Sequence, residues 1–124
     1  MHPRGLKLKI MMTIKNRVQL IGNLGGAPEV KTLDGGNKLA KFSIATHDYY
    51  TNKKGEKVNE TQWHNVVVWG KLAGLAEQLL EKGSEVVVDG KIQTRNYVDK
   101  DGAKKYFTEI VASEFLLINK KDQN

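Results

Sequence analysis

Cysteine is missing from this chain altogether, which excludes disulfide frameworks, thiol nucleophiles and thiolate metal sites and gives a slight lean toward the cytosol. Proline occurs only twice, at Pro3 and Pro28, and no repeat, proline-rich linker or low-complexity stretch divides the chain. No long uncharged apolar run exists, so with a mean hydropathy of -0.48 no membrane span is expected. Histidine is scarce as well. His2, His47 and His64 show no H-E-x-x-H spacing, G-x-S-x-G is absent, and Gly70-Lys71 is followed by Leu72 where a phosphate loop needs Ser or Thr. No catalytic set remains. The chain reads as a non-enzyme with no metal and no cofactor.

What is present is 124 residues with 40% hydrophobic side chains, enough for one domain with a real core. The net charge is +6, but Arg4, Lys7 and Lys9 carry half of it. Those three lie in a basic N-terminal stretch too broken to be a signal-peptide core, and Met11-Met12 mark a second candidate start. Residues 1–15 read as a flexible extension, 16–119 as the domain and 120–124 as a short polar tail. Without its extension the domain is only mildly basic, so the placement of charge matters more than its sum.

The domain is patterned mainly for strands. Arg17 to Leu24 alternates and stops at Gly25-Gly26-Ala27-Pro28, and Glu29 to Leu33 resumes extended. Asp34-Gly35-Gly36-Asn37 is a turn signal, followed by a strand from Lys38 to about Tyr50 with Ala40, Phe42 and Ile44 on its apolar face. A polar tip at 52–57 leads to a strand from about Thr61 to Trp69. Leu72, Leu75, Ala76, Leu79 and Leu80 then follow helical spacing, with Gly83 as the expected left-handed C-cap. Glu85 to Val98 and Lys105 to Ile118 are two more strands, joined by the turn Asp99-Lys100-Asp101-Gly102. Three strands, one helix and two strands make an all-β chain. The order fits a five-stranded OB-fold barrel with its helix between strands 3 and 4. An SH3-like barrel fits the helix less well, and an α+β sheet with one packing helix stays open.

Side-chain alternation supplies the functional signal. If Val66 and Val68 face inward, then Trp63, Asn65, Val67 and Trp69 face outward, and the two tryptophans stand about 20 Å apart along the strand. In the next strand Val86, Val88 and Ile92 share the inward parity, which leaves Lys91, Gln93, Arg95 and Tyr97 outside. Exposed indole costs roughly 25 cal/mol per Å² of wet apolar surface, so such a face calls for a partner. Single-stranded nucleic acid fits, since bases stack on rings while phosphates meet cations. The competing reading packs Trp63 and Trp69 against another subunit or a loop. Lys53, Lys54, Lys57, Lys71, Lys104 and Lys105 are candidate phosphate contacts only because they lie near that face; otherwise they are solvated tips. His64 shares the core parity and reads as a structural or interface histidine.

The motifs Asn16-Arg17-Val18, Gly22-Asn23-Leu24-Gly25, Phe42-Ser43-Ile44-Ala45-Thr46, Thr61-Gln62-Trp63-His64, Gly70-Lys71-Leu72-Ala73 and Gly90-Lys91-Ile92 resemble the bacterial single-stranded DNA-binding protein family. The resemblance runs from about Asn16 to Ile118. It implies base stacking on Tyr50, Trp63, Trp69 and Tyr97, with tyrosine at two positions where well-known members have tryptophan. It further implies a homotetramer with His64 near the subunit contact, a role in replication, recombination and repair, and a cytoplasmic, nucleoid-associated location. The family's acidic C-terminal tip has no counterpart in Asn119-Lys120-Lys121-Asp122-Gln123-Asn124, so recruitment of repair proteins through a tail is not expected. A protein-interaction OB module of the primosomal kind is the alternative.

Overall fold

The computed structural model describes residues 15–119; the expected extension, apart from Lys15, and the expected tail lie outside them. Six strands and one helix follow in order: β1 (Val18–Leu24), β2 (Glu29–Thr32), β3 (Lys38–Thr51), β4 (Lys57–Trp69), α1 (Lys71–Leu79), β5 (Glu85–Val98) and β6 (Lys104–Asn119). The strands form one sheet in the order β1-β5-β6-β4-β3-β2, and a further β1–β3 pairing closes five of them into a barrel. This is the OB architecture that the alternation of the sequence predicts. The helix falls between the third and fourth strands of the barrel. The extended stretch after Pro28 is a strand in its own right, β2, paired with the first residues of β3.

The barrel fills from inward positions of every strand. Ala40, Phe42 and Ile44 of β3 meet Val66 and Val68 of β4, Val86 and Val88 of β5, and Ile110 and Ala112 of β6, while Ala73, Ala76 and Leu80 plug the end. Ile44, Val66, Val68, Val86 and Val88 are fully buried, and each side chain of this kind contributes about 1.5–3 kcal/mol relative to exposure. Lys38 Nζ lies 2.9 Å from Glu77 Oε1 and ties α1 to β3. The helix ends at Leu79 because buried Leu80 turns extended to enter the core. Gly83 therefore does not cap it; its positive φ serves the separate turn from Glu81 to Ser84.

Two close approaches bend the strands into a ring. A Cβ on Gly22 would lie 2.4 Å from the Ala45 carbonyl oxygen, where β1 leaves β5 to meet β3. One on Gly90 would lie 2.2 Å from the Val111 carbonyl oxygen. Beside Gly90 the β5–β6 register slips, with Asp89 opposite Glu114 and Gly90 opposite Ala112, so Ser113 is a bulge. A one-residue bulge exchanges the two faces of a strand. Ile110 and Ala112 point into the core before it, and Phe115 and Leu117 pack against the core after it.

Past Gly90 the β5–β6 pair leaves the barrel as a two-stranded arm, and Lys91 to Val98 are all exposed. Ile92, expected inside by parity, is 49% exposed because no second layer lies behind the arm among the described residues. A second arm is the outer part of β3–β4, where β4 begins at Lys57 rather than near Thr61. The two tips are built alike. Asn52 Oδ1 accepts the N–H of Lys54 and Glu56, and Asp99 Oδ1 accepts those of Asp101 and Ala103, all within 3.0 Å.

Candidate nucleic-acid interface

The ladder registers decide which side chains share the outer face. On β4 these are Trp63, Asn65, Val67 and Trp69; opposite them on β3 stand Ala45, Ser43, Lys41 and Leu39. The parallel β4–β6 seam pairs Val66 with Ile110 and Val67 with Val111, so Phe107 and Glu109 of β6 belong to the same face. Across β5–β6, Gln93 faces Glu109, Arg95 faces Phe107 and Tyr97 faces Lys105. The rings and cations expected from alternation thus join one outer surface.

Trp63 and Trp69 are 60% and 50% exposed, so neither is enclosed in the core. Trp63 has a seat. An ideal Cβ on Gly25 would lie 2.6 Å from its Cζ3 and 2.9 Å from its Cη2, so the bare backbone at Gly25 is what lets the ring lie down. Ala45, directly opposite Trp63, is only 4% exposed despite its outward parity. One side of the indole is therefore supported and the other faces solvent. Val67 departs from expectation: it is buried, because it lies between Lys41 of β3 and Val111 of β6 on the crowded part of the sheet.

A cleft of about 390 Å³ opens beside this seat, lined among others by Gly25, Lys41, Asn65, Phe107 and Glu109. Glu109 is 6% exposed. Its carboxylate is held by Arg95, with Nε 3.0 Å from Oε1, while the guanidinium carbon stands 5.6 Å from the Phe107 ring centroid. A carboxylate this deeply buried is tolerable only because it is paired. Arg95 thus stiffens the surface and, being half exposed, keeps donors free toward solvent. Phe107 and Glu109 were missed by reading alternation only as far as β5; continuing the outward parity from Arg95 across the hairpin finds Phe107.

The other expected residues are dispersed. Lys53 and Lys54 sit in the β3–β4 tip, Lys57 just after it, Lys71 at the first turn of α1, and Lys104 and Lys105 at the start of β6, all exposed. Lys91 is exposed on β5, whereas Lys105 Nζ lies 3.9 Å from Asp99 Oδ2. Tyr97 is 53% exposed. Tyr50 is half exposed, but it stands opposite Val58 on the ladder face away from Trp63. His64 is half-buried, with Nε2 2.9 Å from Thr46 Oγ1. Away from the rings, Arg17, just before β1, grips Asp89 of β5 at 2.7 and 3.1 Å; its hydrogen bonds, then its charge, hold that carboxyl below its ordinary value against the opposing effect of burial. Among the described residues no cluster of metal-ligating side chains occurs, and no helix is long and apolar enough to cross a membrane.

A closed five-stranded barrel, a single helix at its end and a face of rings and cations define an OB-fold binding protein. The sequence matches the Single-strand binding protein family over residues 15–118. Similar curated proteins include Single-stranded DNA-binding protein 1 of Xylella fastidiosa, 41% identical over 91% of this chain and 84% of its own length. The Single-stranded DNA-binding protein of Neisseria meningitidis serogroup A is 39% identical over 88% of this chain and 63% of its own. Among solved structures, a Plasmodium falciparum SSB in complex with ssDNA superposes with a TM-score of 0.79 at 33% identity, covering 84% of this chain and 95% of that one. A Thermus aquaticus single-stranded DNA binding protein gives 0.73 at 30% identity, covering 84% of this chain and 50% of that one. This chain belongs to the single-strand binding protein family.

Proposed function

We propose that this protein binds single-stranded DNA without reading its sequence and shields it during replication, recombination and repair, in the cytoplasm at the nucleoid. The observation that carries the reading is the pair of half-exposed tryptophans on the outer face of β4, with cationic side chains around them, in a chain of this family. Every base has a face that stacks on an aromatic ring, worth about 1–3 kcal/mol per base, and every phosphate can release counterions to a lysine. Neither contact depends on base identity. Tyr50, Trp63, Trp69 and Tyr97 supply the rings; Lys53, Lys54, Lys57, Lys71, Lys91, Arg95, Lys104 and Lys105 supply charge. No step needs a catalytic group, metal or cofactor.

The working form is a homo-oligomer, with a tetramer as the family precedent and His64 near a subunit contact. In favour of an oligomer, Ile21, Val87 and Leu116 stand in register across β1, β5 and β6 on the outside of the barrel, with Ile21 56% and Leu116 66% exposed. A second copy of the chain would cover such an apolar row. The decisive test of binding is a titration with oligo(dT). Because the only two tryptophans both lie on the proposed site, most intrinsic emission should be quenched and the quench should weaken with salt. Unchanged emission at low salt and saturating oligonucleotide would overturn the reading.

A further inference from the structure

Charge is divided unevenly along this chain. Residues 15–119, the barrel with both arms, hold 15 Lys and Arg against 13 Asp and Glu, a net of +2. Four of those cations already stand in ion pairs: Arg17 with Asp89, Lys38 with Glu77, Arg95 with Glu109 and Lys105 with Asp99. Residues 1–14 hold Arg4, Lys7 and Lys9 and no acid, so they bring more net charge than the whole barrel. A basic N-terminal segment of this kind attracts polyanions. Where it is rooted decides what its cations meet. The β1–β5 ladder reaches Val18↔Gly90, and two residues earlier Asn16 Nδ2 donates to the Ile92 carbonyl at 3.0 Å while its Oδ1 accepts the Ile92 N–H at 3.0 Å. One side-chain amide thus takes both backbone groups of a β5 residue and pins the chain to the foot of the β5–β6 arm. Lys91, Arg95 and Tyr97 lie on that arm, all exposed.

We propose that the segment before Asn16 is a second electrostatic contact for single-stranded DNA, in which Arg4, Lys7 and Lys9 meet phosphates of a strand lying on the β5–β6 arm. The inference rests on the single-stranded DNA reading above and adds to it a contact outside the barrel. Reach is sufficient. Tyr97 stands five residues beyond Ile92, about 17 Å along the strand. A chain spans at most about 3.3–3.6 Å per residue, so Lys9, seven residues before Asn16, lies within about 25 Å of it and Arg4, twelve residues before, within about 43 Å. All three cations can therefore stand over any phosphate carried between Ile92 and Tyr97. The contact reads no base, and its signature is salt. Each phosphate neutralised on a single strand adds about 0.7 to the slope of log K against log salt, so three add about 2.

The test compares the full chain with the triple variant Arg4→Gln, Lys7→Gln, Lys9→Gln in oligo(dT) titrations at a series of salt concentrations, followed by tryptophan quenching. The variant should reach the same final quench, since Trp63 and Trp69 are untouched, but with a salt slope shallower by about 2. Each doubling of salt should then cost the parent about fourfold more affinity than the variant. A footprint reads the contact directly: saturating oligo(dT) should slow acetylation of Lys7 and Lys9 in the parent, followed by mass spectrometry. Slopes that differ by less than about 0.7, one phosphate, overturn the contact and leave the general reading intact. Equal acetylation of Lys7 and Lys9 with and without DNA does the same. Parent protein that fails to bind overturns both.

Discussion

The seat beneath Trp63 invites a one-atom perturbation. Gly25→Ala adds a methyl carbon 2.6 Å from Cζ3 and 2.9 Å from Cη2 of the indole and 3.3 Å from Ser43 Oγ. Carbon atoms rest at about 3.5–4.0 Å, so the ring must rise by roughly 1 Å. It can do so, since its far side is open to solvent. Backbone conformation is no obstacle, because Gly25 is not among the glycines with positive φ. Removing a glycine also lowers the entropy of the unfolded chain by about 0.4–1 kcal/mol, which offsets much of an overpacking cost of about 1–3 kcal/mol. The net change in stability should therefore stay within about 2 kcal/mol, a shift of a few degrees in Tm. Binding should suffer more: a tilted, unsupported indole forfeits much of a stack worth about 1–3 kcal/mol, so Kd for oligo(dT) should rise about tenfold. Fluorescence titration and thermal unfolding of the same sample separate the two effects. An unchanged Kd, or a variant that fails to fold, would refute the idea that Gly25 exists to seat the ring.

Three further outcomes follow from the same geometry. Gly90→Ala drives a methyl into the Val111 carbonyl oxygen and Ala112 Cα, backbone atoms that cannot swing away, so it should destabilise the barrel by more than about 3 kcal/mol in urea unfolding. Leu116→Glu places a charge in the apolar row with Ile21 and Val87; light scattering should show smaller particles, while the circular dichroism of the barrel persists. Asp89 is held below its ordinary 3.8 by Arg17, so its contribution is complete above that value and is lost as pH falls through the lower folded value. Asp89→Asn should therefore flatten the acid limb of the stability–pH profile, measured by unfolding between about pH 2 and 6.

Much of this was legible in the residue pattern. Alternation located every barrel strand, the helix followed from its leucine spacing, and the outward direction of Trp63 and Trp69 required no more than counting by two. What escaped is what depends on the neighbours of a strand. Val67 has outward parity yet is buried between β3 and β6, and Ile92 has inward parity yet is exposed, because the arm has no second layer among the described residues. The Ser113 bulge reverses parity inside one strand, and nothing in Ala112-Ser113-Glu114 announces it. Helical spacing ran on through Leu80, whereas the core claimed that leucine and stopped the helix. Tyr49 and Tyr50 look equivalent as a dipeptide; only the partner strand shows that one shares its side with Lys57 and the other with Glu60.

The barrel is closed by two very short seams, Asn23–Leu24 against Ile44–Ala45 and Val66–Val67 against Ile110–Val111. Its long ladders, β3–β4 and β5–β6, are hairpins whose partners are near in sequence and zip within about 1–10 μs. The seams join distant parts of the chain and must bear the loop-closure entropy first. Folding is therefore paced by these two seams together with the six-pair β1–β5 ladder, whose partners lie furthest apart in sequence, and Gly22 and Gly90, beside the seams, act on the speed of assembly as well as on the finished ring.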